Sequence, residues 1–145
     1  MPEKVLLGPE PLTAAQVVDV VRGHAPVGLS DAAEKTLAAA RQHIENLADA
    51  VTPTYGVSTG FGALATRHIP VESRAALQRS LIRSHAAGAG PAVEPEVVRA
   101  LMLLRLRTLA SGYTGVRPGT AQALAALLNA GITPIVHEYG SLGCS

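Results

Sequence analysis

The chain has 145 residues, the length of one ordinary domain, and 48% of them are hydrophobic. Aromatics make up only 3% and tryptophan is absent, so alanine, leucine and valine must fill the core, which points to a mainly helical protein. A net charge of +1 with no basic patch excludes a nucleic-acid binder, and the single cysteine, Cys144, excludes an internal disulfide framework and suits a reducing compartment.

In chain order, Val5 to Leu7 reads as a short strand closed by Gly8-Pro9. Thr13 and Gln16 have the spacing of a capping box, and the helix they open should run to about Arg22, ended by Gly23 and Pro26. Val27 to Leu29 is a second extended piece. Ser30 or Asp31 then caps a long helix to about Val51, with an apolar stripe of Leu37, Ala40, Ile44, Leu47, Ala48 and Val51. Pro53 stops it. A glycine-rich loop, TYGVSTGFG, covers Thr54 to Gly62. It lacks the lysine ending of a phosphate-binding loop, so a tight structural turn is the expectation.

The next helix should span about Glu72 to Ala87, ended by Gly88 and Gly90. Its Arg74, Arg79 and Arg83 read as a solvated face. Glu94 at the N-cap and Pro95 at the first helical position start another helix, to about Ala110 or Ser111. Its sequence, EVVRALMLLRLRTLA, is apolar on all sides, because Arg99, Arg105 and Arg107 do not align on one face. Such a helix needs burial in something large, which suggests a fragment, an oligomer or both. A last helix covers about Thr120 to Ala130. The sequence has no internal repeat, no evident domain boundary, and no apolar run of the length of a signal peptide or a membrane span.

Few residues stand out for chemistry. The five histidines, His24, His43, His68, His85 and His137, show no metal-ligand spacing, so no metal site is expected. Ser141, in GSLG, is not a nucleophile elbow. His85 extends the stripe of Leu77 and Leu81 at a helix end. That position suits either a core histidine or one presented to a pocket, and spacing does not choose between them.

Four stretches, YGVSTGFG, RSHAAGAGP, SGYTGVRP and NAGITPIVHEYGSLGCS, occur in this order. Together they resemble the N-terminal part of the histidine ammonia-lyases, within the aromatic amino acid lyase family, and most closely the actinobacterial members. The resemblance covers nearly the whole chain and is weakest over the first fifty residues. It implies the N-terminal portion of the ammonia-lyase fold: long helices, short strands and a glycine-rich loop, completed by further chain and by oligomerisation.

The family's electrophile is a methylidene-imidazolone ring (MIO), made from three consecutive residues of the type Ala/Cys-Ser-Gly. Its third residue attacks through the backbone nitrogen, which suits a glycine. By resemblance Cys144 and Ser145 are the first two ring residues. The third would follow Ser145, so the 145-residue chain is expected to be a fragment ending inside the triad and inactive by itself. Tyr55 matches the tyrosine proposed as base for the β-proton; a phenol is a weak base at neutral pH unless its site stabilises phenolate. His85 matches the histidine that contacts the substrate side chain. Phenylalanine-selective relatives tend to carry Phe-Leu at Ser84-His85 and tyrosine-selective ones His-Leu, so Ser84-His85 leans toward an imidazole substrate. Ser58, where many bacterial members have asparagine, is a minor departure.

The complete protein is then expected to convert L-histidine to trans-urocanate and ammonia, with no metal or dissociable cofactor, as a cytoplasmic homotetramer that binds neither membrane nor nucleic acid. The alternatives are a tyrosine or phenylalanine lyase or aminomutase of the same family, or a non-catalytic helical binding module.

Overall fold

The computed structural model describes residues 2–140. Its elements are β1 (Val5–Leu7), α1 (Ala14–Val21), β2 (Val27–Leu29), α2 (Asp31–Asp49), a 3-10 turn (Gly62–Leu64), α3 (Val71–His85), β3 (Ala89–Ala92), α4 (Pro95–Ala110), α5 (Pro118–Asn129) and β4 (His137–Tyr139). The mainly helical expectation holds. The described residues form two compact units: one of residues 2–42 and 92–136, the other of residues 43–91 and 137–140.

The first unit holds the apolar core. β1 and β2 pair in parallel, Val5 opposite Val27 and Leu7 opposite Leu29, with α1 as the crossover between them. The capping box is present: Thr13 accepts from the Gln16 backbone, and the Gln16 side chain accepts from the Thr13 backbone N–H at 2.9 Å. Ser30, rather than Asp31, caps α2, accepting from Ala33 N–H at 3.1 Å. Asn129, just inside the end of α5, secures β2 twice, accepting from Val27 N–H at 2.8 Å and donating to the Val27 carbonyl at 2.9 Å.

Helix α4 packs on α1 and α5 and buries Val98, Met102, Leu103, Leu106, Leu109 and Ala110, while Val97, Leu101 and Leu104 stay exposed. The all-round apolar helix is therefore covered along one face only within the first unit. Arg99, 6% exposed, lies within the covered face. Its guanidinium donates to the Leu128 carbonyl at 3.3 Å and the Val20 carbonyl at 3.2 Å, in the last turns of α5 and α1. Two helix C-termini, each with partial negative charge, thus face one buried cation.

The second unit is built differently. It contains the end of α2, the glycine-rich loop, α3 and the pairing of β3 with β4. None of the buried hydrophobic side chains among the described residues belongs to it; its buried side chains are Ser58 and Thr59. Helix α2 ends at Asp49, short of the expected Val51, which is 98% exposed and no part of the stripe. The last turn tightens there, with Ala50 N–H on the Leu47 carbonyl. Arg74 departs from the expected solvated face. It is half-buried and donates to the Ala48 carbonyl at 3.0 Å and the Ile69 carbonyl at 3.2 Å, so α3 supplies the cation that α2 lacks in its own last turn. Arg79 and Arg83 are exposed as expected.

Candidate functional site

Tyr55 sits in the glycine-rich loop, which is the tight turn expected. The loop closes on itself through polar groups. Val57 and Ser58 both donate backbone N–H to the Thr54 carbonyl at 3.0 Å. Ser58 Oγ accepts from Thr54 N–H at 2.9 Å, and Thr59 Oγ1 accepts from Gly56 N–H at 3.2 Å while donating to the Gly60 carbonyl at 3.0 Å. The backbone N–H groups of Thr54 and Gly56, the residues on either side of Tyr55, are therefore held by the hydroxyls of Ser58 and Thr59, residues that are 0% and 2% exposed. Gly56 has φ +71°, a conformation that favours glycine, and it lies against the Phe61 ring. Phe61 meets the Tyr55 ring edge-on, 5.8 Å between centroids and 81° between planes. The outer rim of the loop is stitched by an antiparallel bridge between Thr59 and His68 and by Ile69 N–H on the Ser58 carbonyl at 2.9 Å. Tyr55 itself is 61% exposed.

Ser58 is fully buried, and its hydroxyl is an acceptor within the turn. Nothing in the spacing of YGVSTGFG revealed that Ser58 and Thr59 act as internal braces, because hydroxyls that bond the backbone leave no periodic signal.

His85 is the last residue of α3, and its side chain is exposed rather than part of a core. Its Nδ1 lies 2.9 Å from the Leu81 carbonyl, and Ser84 Oγ donates to the same carbonyl at 2.8 Å. Helix α3 stops two residues before the expected Ala87, because Ala86 leaves helical geometry at ψ 73°. β3 begins at Ala89 and pairs with β4. Gly90, with φ +80°, lies against the Tyr139 ring, and Gly88 lies against His137, whose Nδ1 contacts the Gly90 carbonyl at 2.8 Å. The segment that follows His85 is thus fastened to the segment that leads, in sequence, toward Cys144. Cys144 and Ser145 themselves lie outside the described residues.

Tyr55 and His85 belong to the same compact unit, and no hydrogen bond or ring contact joins them among the described residues. No cluster of histidine, cysteine and carboxylate side chains among the described residues could hold a metal ion, and no described helix is long and apolar enough to cross a membrane.

The sequence profile of the family described as aromatic amino acid lyase matches residues 12–145. The histidine ammonia-lyase of Streptomyces avermitilis is 63% identical over 141 residues, which are 97% of this chain and 28% of that protein. Among solved structures, ergothionase from Treponema denticola superposes with a TM-score of 0.90 at 31% identity, over 96% of this chain and 28% of that one. Tyrosine aminomutase from Streptomyces globisporus superposes with a TM-score of 0.88 at 36% identity, over 95% of this chain and 26% of that one. This chain therefore spans little more than a quarter of the length of the relatives it matches. The fold match over nearly the whole chain, joined to the profile match that takes in both Tyr55 and His85, establishes that the chain belongs to the aromatic amino acid lyase family.

Proposed function

We propose that the chain is the N-terminal part of a histidine ammonia-lyase, which as a complete protein converts L-histidine to trans-urocanate and ammonia. The observation that carries this reading is the high identity to a Streptomyces histidine ammonia-lyase over nearly the whole of this chain. The Ser84-His85 pair supports it, because a polar ring at that position suits a polar side chain and would be left unpaired by phenylalanine.

The roles follow from what each side chain can do. Tyr55 takes the β-proton, from a loop whose own hydroxyls fix the backbone on both sides. His85 holds the substrate imidazole. Cys144 and Ser145 fit the methylidene-imidazolone ring by residue type: the first offers the carbonyl carbon and the second a side chain that can lose water. The ring, when formed, supplies an electrophilic methylene. The pairing of β3 with β4 supports this assignment, since it ties the strand ahead of Cys144 to the strand that follows His85. A cytoplasmic homotetramer without metal is the assembly that the family resemblance favours, and the exposed side of α4 is consistent with further burial.

The test is direct. The complete protein carrying this segment is incubated with L-histidine, L-tyrosine and L-phenylalanine, and urocanate and the cinnamate products are followed by ultraviolet absorbance. Urocanate from L-histidine is the expected main product, and the 145-residue chain by itself should give none. Preferential turnover of tyrosine or phenylalanine, or formation of a β-amino acid, would replace this reading with that of a sister lyase or aminomutase.

A further inference from the structure

We propose that Ser84 is a positioning residue for His85: with the Leu81 carbonyl it fixes the imidazole as the Nδ1–H tautomer, so that Nε2 meets the substrate as a hydrogen-bond acceptor. The proposal rests on the reading that His85 faces the substrate side chain.

Three short contacts carry it. His85 Nδ1 lies 2.9 Å from the Leu81 carbonyl oxygen and 2.9 Å from Ser84 Oγ, and Ser84 Oγ lies 2.8 Å from that same carbonyl. A carbonyl oxygen has lone pairs and no hydrogen, so its approach to Nδ1 is attractive only if Nδ1 carries the proton. The Ser84 hydroxyl has the Leu81 carbonyl as its own acceptor. Its hydrogen points there, and its lone pairs are left to face Nδ1. Both oxygens therefore favour a hydrogen on Nδ1 and disfavour a lone pair.

In a neutral imidazole the second nitrogen is then the acceptor. No described residue hydrogen-bonds Nε2, and the ring is exposed. The triangle involves only residues 81, 84 and 85, so the last turn of α3 makes it without help from any other element.

An acceptor held in a defined place discriminates by chemistry. An imidazole N–H or a phenol O–H can satisfy it, whereas a benzyl side chain leaves it desolvated and unpaired. Were the tautomer free to exchange, Nε2 would present a donor for part of the time and the preference would weaken. Ser84 is thus a specificity residue at one remove: it makes no contact with substrate, yet it decides what His85 offers.

The experiment uses the complete enzyme carrying histidine labelled with 15N in the ring, at a pH of about 8.5, where an ordinary imidazole is neutral. Nitrogen NMR is recorded without substrate, and the His85 signals are assigned by their loss in His85→Gln. Kinetics are measured in parallel for Ser84→Ala and Ser84→Thr. In the unaltered enzyme Nδ1 should give the protonated signal and Nε2 the unprotonated one. Ser84→Ala should move the ring toward the other tautomer and lower kcat/KM for L-histidine by about 2–10-fold, mainly through KM. Ser84→Thr, which keeps the hydroxyl, should restore both.

A protonated Nε2 in the unaltered enzyme would overturn the proposal. So would a Ser84→Ala enzyme whose nitrogen signals stay unchanged, whatever its kinetics. Because the tautomer is read without substrate, an enzyme that proved inactive on L-histidine would sink the functional reading while the nitrogen signals still decided the role of Ser84.

Discussion

At Tyr55 the hydroxyl and the ring have separable tasks. The ring is anchored edge-on against Phe61, whereas the hydroxyl has no hydrogen-bond partner among the described residues. Tyr55→Phe in the complete enzyme should therefore leave the loop in place, and circular dichroism should not change. Only the group proposed to take the proton is lost, so kcat should fall by about 10²–10⁴-fold with a smaller effect on KM. His85→Leu should behave differently. It removes the acceptor proposed at Nε2, at a cost of about 1–3 kcal/mol for a polar substrate left unpaired, or roughly 10–100-fold in kcat/KM for L-histidine. The ratio of histidine to phenylalanine turnover should move toward phenylalanine, and steady-state kinetics with both substrates will show whether it does. Thr59 makes a third case, structural rather than chemical. Thr59→Val would leave Gly56 N–H and the Gly60 carbonyl without their partner inside the turn, costing about 1–3 kcal/mol, and Thr59→Ser should recover most of it in thermal unfolding. The motif resemblance in the sequence singled out Tyr55 and His85. The bracing role of the hydroxyls beside them was not legible, because a serine or threonine that braces a turn has the same local pattern as one that faces solvent.

Helix starts were the most legible elements, and their caps explain why. Thr13 with Gln16, and Glu94 before Pro95, are local chemical signals, and α1 and α4 begin where those signals stand. Helix α5 begins at Pro118, two residues ahead of the expected Thr120. Its signal was also present, a proline at the first helical position. Ends were harder, since the stops of α2 and α3 depend on a tightened last turn and on one residue's backbone angles. The pairing of β3 with β4 was illegible, because AGPA and HEY show no alternation and lie far apart in the chain. The turn after α4 is a place where element geometry leaves no room for change. Gly112 has φ +79°, and a Cβ there would overlap the Thr36 side chain on α2. Gly112→Ala should destabilise the protein by about 1–3 kcal/mol, seen as a lowered Tm.

On the scale of the whole molecule, the two units differ in what holds them. Every buried hydrophobic side chain among the described residues lies in the first unit, and the candidate site lies in the second. The all-round apolar character of α4 indicated that more burial was needed than the chain offers, and the exposed Val97, Leu101 and Leu104 agree with it. The sequence held no comparable sign that the site would be the part without a core, since Leu77, Leu81 and Ile44 look like core residues until their partial exposure is seen. This division has a consequence for motion. A segment closed by hydrogen bonds and turns, with its apolar side chains only partly buried, opens at low free energy, whereas one knitted through a core opens only with global unfolding. In deuterium exchange of the 145-residue chain, the amides of α4 and β2 should be the slowest to exchange and those of residues 52–70 and α3 among the fastest. Equal protection across both units would contradict that ordering. In the complete enzyme the fast segments should slow markedly, and the extent of that slowing would measure how much of the rigidity around Tyr55 and His85 is lent to them by chain they do not themselves contain.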